Sequence, residues 1–169
     1  MNIRKKSAVI FNRKTKEELR RLGIARGTAS VELNDRELAR IGIEEQVFIA
    51  YGYQPVMISA GCIQKTSASC DGKGGVLSIS DRYQKKFAVR RYCRDCYNVM
   101  YNSAPLFLAD KAEEVHALAP AELRLDFTTE SSGQVKEICH AYTLAFEKGC
   151  KTEPPMQDYT RGHFKRGVK

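Results

Sequence analysis

Six cysteines punctuate this 169-residue chain, and four of them, Cys62, Cys70, Cys93 and Cys96, fall within one short segment. Cys93 and Cys96 form a C-x2-C pair, the tightest common spacing that aims two sulfurs at one metal ion. Seven residues separate Cys62 from Cys70, and twenty-two separate Cys70 from Cys93. Four soft thiolate donors suit structural zinc and an iron–sulfur cluster equally well. Two other readings compete: packed structural thiols, and a redox disulfide between Cys93 and Cys96. The presence of all four in one segment favours a metal or cluster site with Cys62, Cys70, Cys93 and Cys96 as its ligands. A site of that kind contributes folding free energy to its segment, on the order of 10 kcal/mol in zinc-finger-like cases. Cys139 lies on the apolar stripe of an expected helix and reads as a packed thiol, whereas Cys150 follows Gly149 and carries no signal.

Basic residues accompany the cysteine pair. Lys85, Lys86, Arg90, Arg91 and Arg94 lie beside it, and Arg161, Lys165, Arg166 and Lys169 end a chain of formal net charge +8. Cations stabilise neighbouring thiolates, and the same charges attract nucleic acid, although a solvated basic face is the plainer reading. Proteolytic chemistry finds little support. There is no Gly-x-Ser-x-Gly and no His-Glu-x-x-His, and a thiolate–histidine pair is not something a sequence displays. His116 and His140 have no carboxylate at catalytic spacing, so no catalytic residue is assigned; His163, within Arg161-Gly-His-Phe164, is the histidine to watch.

The elements that must position these groups alternate. Ala8–Asn12 reads as a strand and Thr15–Leu22 as a helix, with Thr15 and Glu18 as a capping box and Gly23 as its stop. Thr28–Leu33 is strand-like, Asn34 caps a helix over Asp35–Ile41 that Gly42 ends, and Gln46–Tyr51 is strand-like again. That β-α-β-α-β order implies parallel strands joined by right-handed crossovers. Residues 53–97 interrupt it with the four cysteines, a glycine-rich turn at Asp71–Gly75 and two strand-like runs, Val76–Ser80 and Phe87–Tyr92. A segment this long between regular elements is usually functional. The alternation is expected to resume with a strand at Tyr97–Tyr101, a helix over Pro105–Leu118, a strand at Glu122–Phe127 and a helix over Ser132–Lys148, followed by an irregular basic end. The last helix carries Val135, Ile138, Cys139, Tyr142 and Phe146 at helical spacing.

Five parallel strand candidates in one domain spanning 1–169 fall short of a closed eight-stranded (β/α) barrel, which takes ~250 residues. The count leaves two α/β folds open, an open parallel sheet or part of a larger barrel; the family resemblance that follows implies the second, a partial, half TIM-type (β/α) barrel with an inserted cysteine-bearing β segment. In parallel barrels chemistry collects at the C-terminal ends of strands. Asn12, Glu32, Asn34, Tyr51, Arg124, Asp126 and Glu130 fall near such ends, and capping already explains Asn12 and Asn34. Glu32, Arg124 and Glu130 have no such local task, and Arg124 suits a carboxylate or phosphate.

Several phrases carry a family resemblance. Phe48, Gly52 and Cys62 stand where the collagenase-like peptidase family U-32 has the Phe, the Gly and the second cysteine of its signature; the first cysteine falls on Pro55. Ser30-Val-Glu-Leu-Asn34, Asp81-Arg82, Asn102-Ser-Ala-Pro-Leu106, Arg124-Leu-Asp-Phe-Thr128 with Glu130, and Thr160-Arg-Gly-His-Phe-Lys-Arg-Gly-Val168 resemble its larger members. The resemblance implies a (β/α) barrel of which this chain is the C-terminal half, and a 4Fe–4S cluster in preference to zinc. It implies participation in oxygen-independent hydroxylation of RNA, ribosomal or transfer, with the collagenase-like protease activity of the family name as the alternative. On that reading Arg82, Arg90, Arg91 and Arg94 face phosphate, and Glu32, Arg124, Glu130 and His163 contact substrate. A half barrel exposes a sheet edge that calls for a partner chain or a second copy, and a truncated inactive chain with a structural metal is the further alternative.

Location follows from what is missing. No apolar run approaches the ~18 residues of a membrane span, and Met1–Phe11 lacks the apolar core and cleavage site of a signal peptide. A cytoplasmic protein with reduced thiols and no membrane partner is expected.

Overall fold

The computed structural model describes residues 8–24, 26–67 and 69–167. The readings of Met1–Ser7 and of Val168 and Lys169 lie outside them.

The chain folds as a mixed α/β structure with two sheets. In the first, β1 (Val9–Ile10), β2 (Thr28–Ala29), β3 (Val47–Gly52) and β9 (Glu122–Asp126) run parallel in sequence order. The short β8 (Leu106–Phe107) pairs antiparallel with the end of β3 through Tyr51↔Phe107 and Gly52↔Leu106. Because β9 follows β3 along its whole length, β2 and β8 share the other edge of β3. The sheet is open: no closed barrel forms among the described residues.

Local sequence sets the crossovers. Helix α1 (Arg13–Arg21) is capped by the Asn12 side chain, which accepts from Thr15 N at 2.9 Å. Asn12 thus takes the capping role expected of Thr15: it is extended at φ −158°, whereas Thr15 lies inside the helix. Helix α2 (Asp35–Ile41) has the expected Asn34 cap with a reciprocal bond from Glu37, buries Leu38 and ends at Gly42 in a left-handed conformation, φ +73°. Helix α5 (Ser132–Phe146) starts with a Ser131/Gln134 capping box. Its buried face is Ile138, Ala141, Tyr142 and Ala145. Cys139 is exposed, contrary to the packed thiol expected; at ~100° per residue it is turned away from the line that joins Ile138 to Ala141 and Tyr142.

The second sheet is wholly antiparallel, in the order β4 (Pro55–Ser59), β7 (Tyr97–Tyr101), β6 (Lys86–Tyr92), β5 (Gly75–Ser80). It lies in the connection between β3 and β9 and also holds the short helix α3 (Ile63–Ser67). Tyr97–Tyr101 was expected to rejoin the parallel sheet. The structure corrects this: only Cys93–Cys96 separate β6 from β7, and a link that short closes a hairpin, whereas a parallel crossover needs a dozen residues or more. Among the described residues the parallel strands therefore number four, and the inserted sheet extends to Tyr101. The helix expected over Pro105–Leu118 is likewise shorter. Leu106–Phe107 is β8, a 3-10 turn covers Ala109–Lys111, and α4 is Ala112–Ala117.

The core lies between the parallel sheet and α5, with Phe48, Ala50, Tyr51, Phe107, Leu108 and Ile138 almost fully buried. The basic C-terminal phrase belongs to it. Phe164 is 4% exposed and packs on Phe48, its backbone carbonyl accepts from Asp35 N at 2.8 Å, and Thr160 bridges to Leu106. Arg161 pairs with Asp110, and Lys165 with Asp35 and Glu114. These bonds hold the carboxyl of Asp35 below its ordinary value, chiefly through the hydrogen bond from Lys165.

Candidate functional site

Each of the four clustered cysteines is delivered to the same end of the antiparallel sheet. Cys93 and Cys96 bound the β6–β7 turn, directly after the Tyr92↔Tyr97 pair, and Cys96 takes a left-handed conformation at φ +53°. Next to them, Ser59 at the end of β4 pairs with Asn98. Asn98 is buried, and its side-chain N–H donates to Gly61 O at 2.6 Å, which fixes Cys62 beside the turn. Cys70 arrives from the start of β5, where Gly75 pairs with Arg91. The loop that carries it is pinned twice: Arg91 pairs with Asp71 at 3.1 Å, and the Cys93 thiol donates to Lys73 O at 3.1 Å. Gly72 N–H points at the Cys70 sulfur at 3.4 Å, the kind of donor that supports a thiolate.

Cys62 and Cys93 are partly buried, and Cys70 and Cys96 are exposed. Among the described residues no three Cys, His, Asp or Glu side chains close on a common point as metal ligands. Four sulfurs at one sheet end form a donor set chemically fit for a soft metal. Holding one ion therefore requires the sulfurs to move, including Cys70, which accepts from Gly72 N, and Cys96, which donates to Cys93 O at 3.7 Å.

The four arginines read as phosphate-facing separate. Arg90 and Arg94 are exposed near the cysteine end. Arg91 turns inward, its side chain only 9% exposed, and serves the Asp71 loop. Arg82 stacks on Tyr83 in the β5–β6 turn, at the opposite end of the sheet.

A second constellation lies on the parallel sheet. An open cavity of about 710 Å³ is lined by Thr28, Ser30, Glu32, Arg124, Asp126 and His163, together with the exposed apolar Val9 and Phe11. Arg124 is opposite Ile49 in register; its guanidinium pairs with Asp126 at 2.9 Å and donates to Thr28 Oγ1 at 3.3 Å. His163 Nδ1 lies 3.0 Å from Gly167 O. Four residues named from the sequence, Glu32, Arg124, Asp126 and His163, thus share one cavity. Glu130 does not line it. Its carboxylate accepts from Tyr51 OH at 2.8 Å and from the backbone N–H groups of Thr128 and Thr129, which gives it a structural task. Burial and this carboxylate push the Tyr51 hydroxyl far above its ordinary value. Thr28 and Asp71 went unnoticed in the sequence: each matters only through a partner, Arg124 or Arg91, far away along the chain.

Comparison with family models, curated proteins and solved structures found no match. Among the described residues, no helix is long and apolar enough to cross a membrane.

Proposed function

We propose that this chain is a thiolate-ligated metalloprotein of the U-32 peptidase type that takes part in oxygen-independent hydroxylation of RNA. The observation that carries the reading is the delivery of Cys62, Cys70, Cys93 and Cys96 to one end of one sheet by three separate connections. Thiols kept for packing have no reason to gather there, half of them exposed. These four residues hold a 4Fe–4S cluster, with zinc as the alternative occupant of the same donors. The cluster supplies electron transfer when bound. The remaining work falls to the chain itself. Asn98 and Arg91 hold the ligand loops, Arg90 and Arg94 meet phosphate, and the Arg124 guanidinium in the strand-end cavity receives an anionic group.

A second reading draws on the open edge of the parallel sheet. Strand β1 has no neighbour beyond it among the described residues, and Val9 within it and Phe11 just after it are each 47% exposed at the cavity wall. An edge of this kind suits a half barrel completed by a partner chain or a second copy.

The test is genetic and chemical. RNA from cells lacking the protein is digested to nucleosides and examined by mass spectrometry for a lost hydroxylated species. Wild-type protein restores it and Cys93→Ser does not. An unchanged nucleoside profile on deletion contradicts the proposal.

A further inference from the structure

The antiparallel sheet has one buried and one open face, and the open one is built of aromatic and basic side chains. Register assigns the faces. Val89 and Asn98, with 0% and 2% exposure, and the inward Arg91 define the buried side. On the other side Tyr92 stands opposite Tyr97, and Arg90 stands between Val76 and Val99. Ile58 joins from β4 opposite Val99, and Tyr101 follows two positions after it. Ile58 is 72% exposed and Val76 49%, while Tyr92, Tyr97 and Tyr101 are half-buried, so this face is open to solvent at Ile58 and Val76 and partly open over the tyrosines.

Three of these groups form a column. The Tyr92 and Tyr97 rings stack in parallel, 4.6 Å apart and 6° from coplanar, and the Arg90 guanidinium lies 5.6 Å from the Tyr92 centroid. Tyr101 adds a third phenol to the same face by register. Lys86 and Arg90 supply positive charge, and the register puts no acidic residue on the face among β5, β6 and β7. Aromatic planes joined to arginine on an open sheet are the means by which proteins hold unpaired bases; a duplex offers its phosphates but no free base face.

We infer that this face is a stacking platform for single-stranded RNA, with Tyr92, Tyr97 and Arg90 as the column that bases extend and Lys86 and Arg94 as phosphate contacts. The choice of RNA rests on the function proposed above; the platform itself rests on the sheet. It adjoins the cysteine turn, so a strand held there passes beside the proposed metal centre.

The test uses metal-loaded, full-length protein and a labelled single-stranded RNA of ~12 nucleotides, a length within the usual span of single-strand sites. Anisotropy reports affinity, and because the chain has no Trp, its tyrosine fluorescence reports stacking directly. Single-stranded RNA should bind and quench that fluorescence, the matching duplex should bind more weakly, and single-stranded DNA serves to rank the two sugars. Tyr97→Ala should weaken binding about 5- to 150-fold, the range that loss of one base–aromatic stack produces, and Tyr97→Phe should stay near wild type. Ile58→Glu, at a position too exposed to affect folding, should also weaken it, roughly ten-fold, by adding a negative charge to the platform. Wild-type affinity in both Tyr97→Ala and Ile58→Glu overturns the inference, as does equal binding of duplex without quenching. Binding is read without turnover. Failure of RNA hydroxylation therefore leaves it standing, and absence of RNA binding by metal-loaded protein refutes the platform alone.

Discussion

Removing one hydroxyl, in Tyr142→Phe, measures how the core tolerates the irregularity in β3. Pairing between β3 and β9 shifts register between Ile49 and Tyr51, which makes Ala50 the extra residue of a bulge. The Tyr142 hydroxyl donates to Ala50 O at 2.6 Å and accepts from Leu108 N at 2.9 Å. Both backbone groups are sealed from water, with Ala50 0% and Leu108 1% exposed. Phe keeps the ring contacts to Phe107 and Phe146 and deletes only the bridge. Each buried group left unpaired costs about 1–3 kcal/mol, so the pair together should cost about 2–6 kcal/mol. For a domain of this size that corresponds to a fall in Tm of roughly 4–24 °C. Thermal melts followed by circular dichroism, with urea titration for the free energy, give the value. A Tm within about 2 °C of wild type, inside the shift of a single kcal/mol, would refute the argument that Tyr142 satisfies the bulge.

Gly52→Ala should be more damaging. Gly52 has φ +140°, and an added Cβ would lie 2.5 Å from Asp126 O, so β9 must shift; we expect a loss of about 2–4 kcal/mol and poor soluble yield, read by urea titration. Phe164→Ala should cost about 3–5 kcal/mol despite its place in a basic run, because that ring is core, and hydrogen exchange should show Phe107 N–H, bonded to Thr160 O, losing protection. The Asp35–Lys165 contact lowers the folded-state carboxyl below its unfolded 3.8. Its contribution is therefore complete above about pH 4 and disappears as the pH falls through the lower folded value, and Lys165→Met should flatten that part of a stability–pH curve.

The parts of this fold legible in the sequence are those governed by neighbours in the chain. Asn34 and Gly42 bound α2 as read, because a cap and a left-handed stop are decided within one turn. The β-α-β-α-β start is legible for the same reason: short strands alternate with capped helices. Tyr97–Tyr101 was misassigned because its apolar pattern suits either sheet, and only the length of the Cys93–Cys96 link decides its partner. Cys139 was misjudged by one helical position, and Phe164 was hidden in a run of charges that the parallel sheet draws inward. At the candidate site, spacing singled out the four cysteines. Their common sheet end depends on the hairpin and on Asn98, a buried polar residue that no spacing rule marks.

The metal content of anaerobically purified protein tests the central claim most directly. The account predicts iron with acid-labile sulfide in equal amounts, or zinc at one per chain, lost together in Cys62→Ser, Cys70→Ser, Cys93→Ser and Cys96→Ser, while Cys139→Ser retains it. A well-folded wild-type protein holding neither iron nor zinc, or one whose metal survives all four substitutions, would contradict it.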